Sequence, residues 1–198
     1  YLRIAQFQEN SASDVKAAVQ QLQKQQPLAG LVIDLRNNPG GLLKSAVGIS
    51  DLFLNDGLIV YTQGRNSERQ DYPSKPTQML AGKPIIVLVN QGSASASEIV
   101  AGALQDQKRA LIVGQTTFGK GSVQTILPVT DTTAIKLTTA RYYTPNGRSI
   151  QAKGIVPDIA LQNGTLAVQK SQGETEASLP KHLEAEQTAN KKAQPSTL

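Results

Sequence analysis

Short uninterrupted apolar runs alternate along this chain with segments whose apolar residues recur at helical spacing, and that alternation narrows the fold more than any other feature. Leu31-Val32-Ile33, Pro84 through Val89 and Leu111-Ile112-Val113 are runs of the kind buried on both faces of a sheet. Ala12, Val15, Ala18, Val19 and Leu22 line one face of a first helix after Ser11, whose hydroxyl is placed to cap it, and Pro27 stops that helix. Leu42, Val47, Ile49, Leu52 and Phe53 predict a second helix that closes around Asn55-Asp56-Gly57. A third runs from Glu98 to Gln107, with Ile99, Val100, Ala103 and Leu104 inward. A strand at Leu58 to Tyr61 follows the second helix. Strands at Val123 to Val129 and Ala134 to Tyr143 turn at Asp131-Thr132 as a hairpin. The polar, proline-bearing stretch from Gln63 to Lys83 reads as a surface excursion. Strands alternating with helices define an α/β domain with at least partly parallel pairing and right-handed crossovers.

Patterning of this kind covers residues 1–162, which is enough chain for one ordinary domain. From Asn163 to Leu198 the composition turns to Gln, Ser, Thr, Ala, Lys and Glu, a polar tail expected to be disordered or at most loosely helical near Leu179 to Ala189. The net charge of +5 is spread over single lysines and arginines, and aromatic residues are only 4%, so the excess speaks for solubility and against nucleic acid as a partner. No apolar run approaches the roughly 20 residues of a transmembrane segment. The absence of cysteine is compatible with any redox compartment. Because the chain opens on the extended-looking Tyr1-Leu2-Arg3-Ile4, it reads as a piece of a longer precursor, and a missing leader says nothing about location.

Function in α/β folds gathers where strands end and helices begin, which directs attention to Asn37 to Gly41 and Asn90 to Ser97. In Gly92-Ser93-Ala94-Ser95-Ala96-Ser97-Glu98 a serine stands among residues small enough to admit a peptide backbone. The pattern Ser95-Ala96-Ser97-Glu98 is also a capping box, which merely satisfies free amides at a helix start. A nucleophile in that place would gain from the same amides, which stabilise negative charge on a substrate oxygen. The chain has one histidine, His182, in the polar tail, so a Ser-His-Asp triad lacks a plausible base. A lysine is the remaining choice. Lys120 sits in Phe118-Gly119-Lys120-Gly121-Ser122-Val123-Gln124. To be neutral near pH 7 its pKa must fall by about three units from about 10.4, at a cost near 4 kcal/mol that burial can supply. If the segment is extended, Lys120, Ser122 and Gln124 project to one side, and the Gln124 amide orients the amine without adding charge. The competing reading is a solvated turn lysine. Gly114 to Lys120 also matches the start of a phosphate-binding loop, but Gly121 replaces the required hydroxyl and the following sequence is β-like, so the match reads as coincidence. Gly40-Gly41 offers either a tight turn or a second oxyanion amide, and Asp34 and Arg36 read as ties between that turn and the domain.

Asp34 to Gly41, Val89 to Glu98, Thr117 to Gly121 with Gln124, and Ala140-Arg141-Tyr142-Tyr143-Thr144-Pro145 with Gly147-Arg148 together resemble the C-terminal processing peptidases, or tail-specific proteases. The likeness extends to Gly154-Ile155-Val156-Pro157-Asp158. It implies a crotonase/Clp-protease-like core and a serine endopeptidase with Ser95 as nucleophile, Lys120 as base and Gln124 assisting. The oxyanion hole would be formed by the amides of Ala96 and Gly41, with Gly40 as the alternative donor. No metal or organic cofactor is implied. Substrates would be proteins with apolar C-termini, selected by a PDZ domain that usually precedes the segment beginning here and that this chain does not contain. Relatives often form homo-oligomers with an adaptor protein, in the bacterial periplasm or envelope or in the chloroplast thylakoid lumen. A non-catalytic peptide- or ligand-binding domain of the same fold is the rival reading.

Overall fold

The computed structural model describes residues 1–65, 68–76 and 78–161. In chain order the elements are β1 (Leu2–Arg3), α1 (Ser11–Gln25), β2 (Leu31–Asp34), α2 (Leu43–Phe53), β3 (Leu58–Gln63), β4 (Gln70–Pro73), β5 (Ile85–Val89), α3 (Ala96–Asp106), β6 (Leu111–Gly114), β7 (Ser122–Pro128), β8 (Ala134–Tyr143) and β9 (Ile159–Ala160). Two sheets result. The first is wholly parallel, in the order β1-β2-β5-β6-β9, and the second is antiparallel, in the order β4-β3-β8-β7.

The three apolar runs are the central strands of the parallel sheet, as expected of strands covered on both faces. Ile33, Val87 and Ile112 are wholly buried. They join Ile49 and Phe53 of α2 and Val100, Ala103 and Leu104 of α3 in one core that also takes in Ile59 of β3. In α1 only Val15 and Val19 are buried, so that helix touches the core along a narrow stripe. In α3 all nine residues from Ala96 to Leu104 are buried, including Ser97 and Glu98. A helix buried on every side with polar groups at its start needs partners for them, and those partners form the candidate site.

Several boundaries differ from the sequence expectation, each for a local reason. Asn10, not Ser11, precedes the first helical residue, and the Ser11 hydroxyl accepts the Gln8 amide at 2.8 Å. The excursion after Gln63 contains β4, an exposed edge strand whose polar sequence carries no burial signal. Strand β9 is set by Asp158, whose amide donates to the Ile112 carbonyl at 2.8 Å while its carboxylate accepts the Ile112 amide at 2.7 Å. The polar tail and His182 lie outside the described residues. Because Phe53 is among the largest fully buried side chains, Phe53→Ala should cost about 3–5 kcal/mol of unfolding free energy, read from urea denaturation.

Candidate active site

Ser95 ends the loop after β5 and is the cap residue of α3, in a backbone conformation of φ 55° and ψ −110°. Positive φ in a non-glycine residue is strained by about 1–3 kcal/mol and persists only where its surroundings enforce it. The enforcement is visible on both sides. Ser93, fully buried, donates its hydroxyl to the Leu35 carbonyl at 2.8 Å and accepts the Asn90 amide at 3.0 Å. Ser97, also fully buried, donates to the Asn38 carbonyl at 2.9 Å. Two of the three serines are therefore bound to the frame. Ser95 alone remains partly exposed.

The turn after β2 is bound to this corner from the other direction. Asn37 and Asn90 exchange hydrogen bonds: the Asn37 amide donates to Asn90 Oδ1 and Asn90 Nδ2 to Asn37 Oδ1, both at 2.9 Å. The Ala94 amide donates to the Asn38 carbonyl at 3.0 Å. Gly40, at φ +103°, approaches so closely that a Cβ there would lie 2.9 Å from Ser95 Cβ and 3.0 Å from the Ala96 nitrogen. Only glycine fits. The buried Asn38 side chain takes the Gly40 amide at 2.9 Å and donates to the Ile4 carbonyl at 2.7 Å. The Gly41 and Ala96 amides have no hydrogen-bond partner among the described residues.

Lys120 reaches the corner through Glu98. The Glu98 side chain, fully buried, accepts the Ser95 amide at 2.7 Å and the Lys120 amide at 2.9 Å on the same oxygen, Oε2. Its Oε1 accepts the Thr117 hydroxyl and the Gly119 amide, each at 2.6 Å. The glutamate arm of the capping box thus exists, and the same carboxylate carries the lysine loop to the serine. Sequence alone showed Glu98 only as a cap; its second use depends on a loop distant in the chain. The Lys120 side chain is exposed, and no hydrogen bond joins its amine to the Ser95 hydroxyl. Gln124 is exposed on β7, opposite Thr138, beyond a register slip at Val123/Gln124. Since β7 begins at Ser122, Lys120 lies ahead of the extended segment that was expected to align it with Gln124. A strand follows Lys120 where a phosphate-binding loop would need a helix.

Asp34, almost wholly buried at the end of β2, accepts Arg36 Nε at 2.9 Å and Arg36 Nη2 at 2.7 Å, and also the Tyr1 hydroxyl. The Arg36 hydrogen bonds, the largest cause, hold its carboxyl well below the usual carboxylate range in spite of the opposing effect of burial. A depressed folded pKa contributes stability that is complete above the unfolded value and is lost as pH falls toward the folded one.

A serine on a strained strand-to-helix corner is an arrangement in which α/β hydrolases present a hydroxyl to a carbonyl carbon. Comparison with known proteins is more specific. The sequence profile of peptidase family S41 matches residues 1–161. The carboxy-terminal-processing protease of Bartonella bacilliformis is 49% identical over 197 residues, covering 96% of this chain and 45% of that protein. The chloroplastic C-terminal processing peptidase of Tetradesmus obliquus is 41% identical over 161 residues, covering 81% and 34%. A solved photosystem II D1 C-terminal processing protease superposes with a TM-score of 0.75 at 41% identity, over 80% of this chain and 41% of that one. This chain belongs to peptidase family S41, a family of proteases, and spans less than half the length of these relatives.

Glu98→Gln replaces one accepting oxygen by an NH2 group that faces at least one backbone amide, so it should lower stability by roughly 1–3 kcal/mol, as read by urea denaturation. Acid titration of unfolding stability should show a loss below pH 4 that Asp34→Asn diminishes.

Proposed function

We propose that this chain is the catalytic segment of a serine endopeptidase of C-terminal processing type, in which Ser95 is the nucleophile and Lys120 the general base. The observation that supports it most directly is the single Glu98 oxygen that accepts both the Ser95 and the Lys120 amides, because it ties the two candidate residues to one point. In this mechanism the uncharged Lys120 amine takes the Ser95 proton while Oγ attacks the peptide carbonyl carbon. Negative charge develops on the carbonyl oxygen between the Ala96 and Gly41 amides. Gly41 is preferred to Gly40, since the Gly40 amide already donates to Asn38. Lys120 then protonates the departing amine. Water attacks the acyl carbon as the amine accepts its proton, and the resulting ammonium returns that proton to Ser95 Oγ as the acyl–oxygen bond breaks, which releases the new C-terminus and restores both the serine hydroxyl and the uncharged amine. Gln124 is proposed to orient the amine once a substrate covers the site.

An exposed lysine makes a poor base because water favours its cation. In the proposed cycle the substrate chain supplies the missing cover, so desolvation of the amine accompanies binding. Substrates are proposed to be proteins with apolar C-termini, and the core is read as crotonase/Clp-protease-like. An adaptor and self-association are proposed by analogy with the family. The proposed setting is the bacterial periplasm or envelope, or a thylakoid lumen, in keeping with bacterial and chloroplastic relatives.

The test uses the full-length protein and an unfolded substrate with an apolar C-terminus. Ser95→Ala and Lys120→Ala should each lower kcat by about 10³-fold or more. Lys120→Arg should be equally inactive, since a guanidinium keeps its charge and cannot accept the proton. Wild-type cleavage should rise with pH because only the uncharged amine accepts a proton. Undiminished cleavage by either alanine variant refutes the dyad.

A further inference from the structure

The Glu98 carboxylate holds Lys120 from the α3 side only. The opposite side of the loop is held by the turn from Ile150 to Gly154, a segment that takes no part in the mechanism above. The Gln151 side-chain oxygen accepts the Gly121 amide at 3.1 Å. The Ala152 amide donates to the Gly119 carbonyl at 2.8 Å. Ala152 adopts φ 60°, a strained left-handed conformation for a residue with a side chain. Beyond it the Thr117 amide donates to the Ile155 carbonyl at 3.2 Å, and the Ile155 amide donates to Thr117 Oγ1 at 2.7 Å.

The two glycines around the lysine lie against the same turn. A Cβ on Gly121 would stand 2.4 Å from the Gln151 nitrogen, and one on Gly119 3.1 Å from the Gly154 nitrogen. These contacts leave no room for side chains beside Lys120 on that side. The lysine is the one residue of the tripeptide with a side chain, and its amine is presented to solvent while its backbone is fixed from two directions. Of the two bonds that hold the glycines beside Lys120 on the turn side, the one from Gly121 to Gln151 depends on a side chain and can be changed without altering the backbone.

We propose that Gln151 is a positioning residue for Lys120: its side-chain oxygen anchors the Gly121 amide and so fixes the direction in which the lysine leaves the loop toward Ser95. This rests on the reading of Lys120 as base. Loss of the anchor should therefore impair the chemical step with little effect on substrate binding, because a small misplacement of a reacting group can cost up to about 10²-fold in rate.

The experiment compares Gln151→Met, which keeps the length and removes the acceptor, with Gln151→Glu, which keeps an acceptor oxygen. Both are made in the full-length protein beside Lys120→Ala. Rates are compared on the alkaline plateau, so that any effect of the added carboxylate on protonation of the amine drops out. The methionine variant should lose about 10-fold or more in kcat with KM within about twofold, and the glutamate variant should retain kcat within about threefold. Hydrogen exchange at the Gly121 amide should quicken in the methionine variant and stay slow in the glutamate variant. Should the methionine variant unfold, Gln151→Asn, one methylene too short to reach, takes its place. Full kcat in the methionine or asparagine variant overturns the proposal, as does an equal loss in the glutamate variant. If Lys120→Ala still cleaves, the base reading falls and this proposal with it; if Lys120→Ala is inactive while every Gln151 variant is fully active, only the positioning role is refuted.

Discussion

One buried carboxylate is the junction on which the candidate site depends. Glu98 is fully buried and accepts four hydrogen bonds, three from backbone amides and one from a hydroxyl. Hydrogen bonds to a charged acceptor are worth about 1.5–3 kcal/mol each, and an unpartnered carboxylate in this place would cost several. The donors belong to two stretches of chain, the corner at Ser95 and the loop from Thr117 to Lys120. Satisfying the carboxylate and bringing the lysine loop to the serine are therefore one event.

Strain at Ser95 becomes intelligible in the same terms. A loop free to relax would leave φ 55° for an ordinary conformation. Relaxation is opposed by the Asn37–Asn90 exchange, by the Ser93 and Ser97 hydroxyls on the carbonyls of Leu35 and Asn38, and by Gly40 packed against Ser95 Cβ. The loops after β2 and β5 are neighbours because those two strands pair in parallel, with Asp34 beside Leu88. Adjacent parallel strands put both loops at the same carboxyl end of the sheet, which is where α/β folds place their chemistry.

The three central parallel strands and the three helices were legible because burial on one or both faces leaves an apolar period in the sequence, as at Leu31 to Ile33 and in α3. Strand β4 and the two-residue strand β9 were not, since their reason for existing is a partner's backbone. In the site, Ser95 and Lys120 were visible as residue types in a suitable setting. The second use of Glu98 and the contact of Gln151 with Gly121 are facts of hydrogen-bond partnership between distant segments, which periodicity does not encode.

The site is unevenly buried, and the unevenness suits its proposed chemistry. Backbone atoms around Ser95 and Lys120 are tied into the buried core, whereas the lysine side chain is open to solvent. A base held permanently in an apolar pocket would charge the folding free energy with its desolvation throughout the protein's life. A base that is desolvated only by the incoming chain takes that cost from binding energy, and takes it only when a substrate is present. Fixed backbones with a solvent-facing side chain at the end of one of them suit the proposed chemistry: the point from which the lysine leaves its loop is set in advance, and its cover is left to the incoming chain.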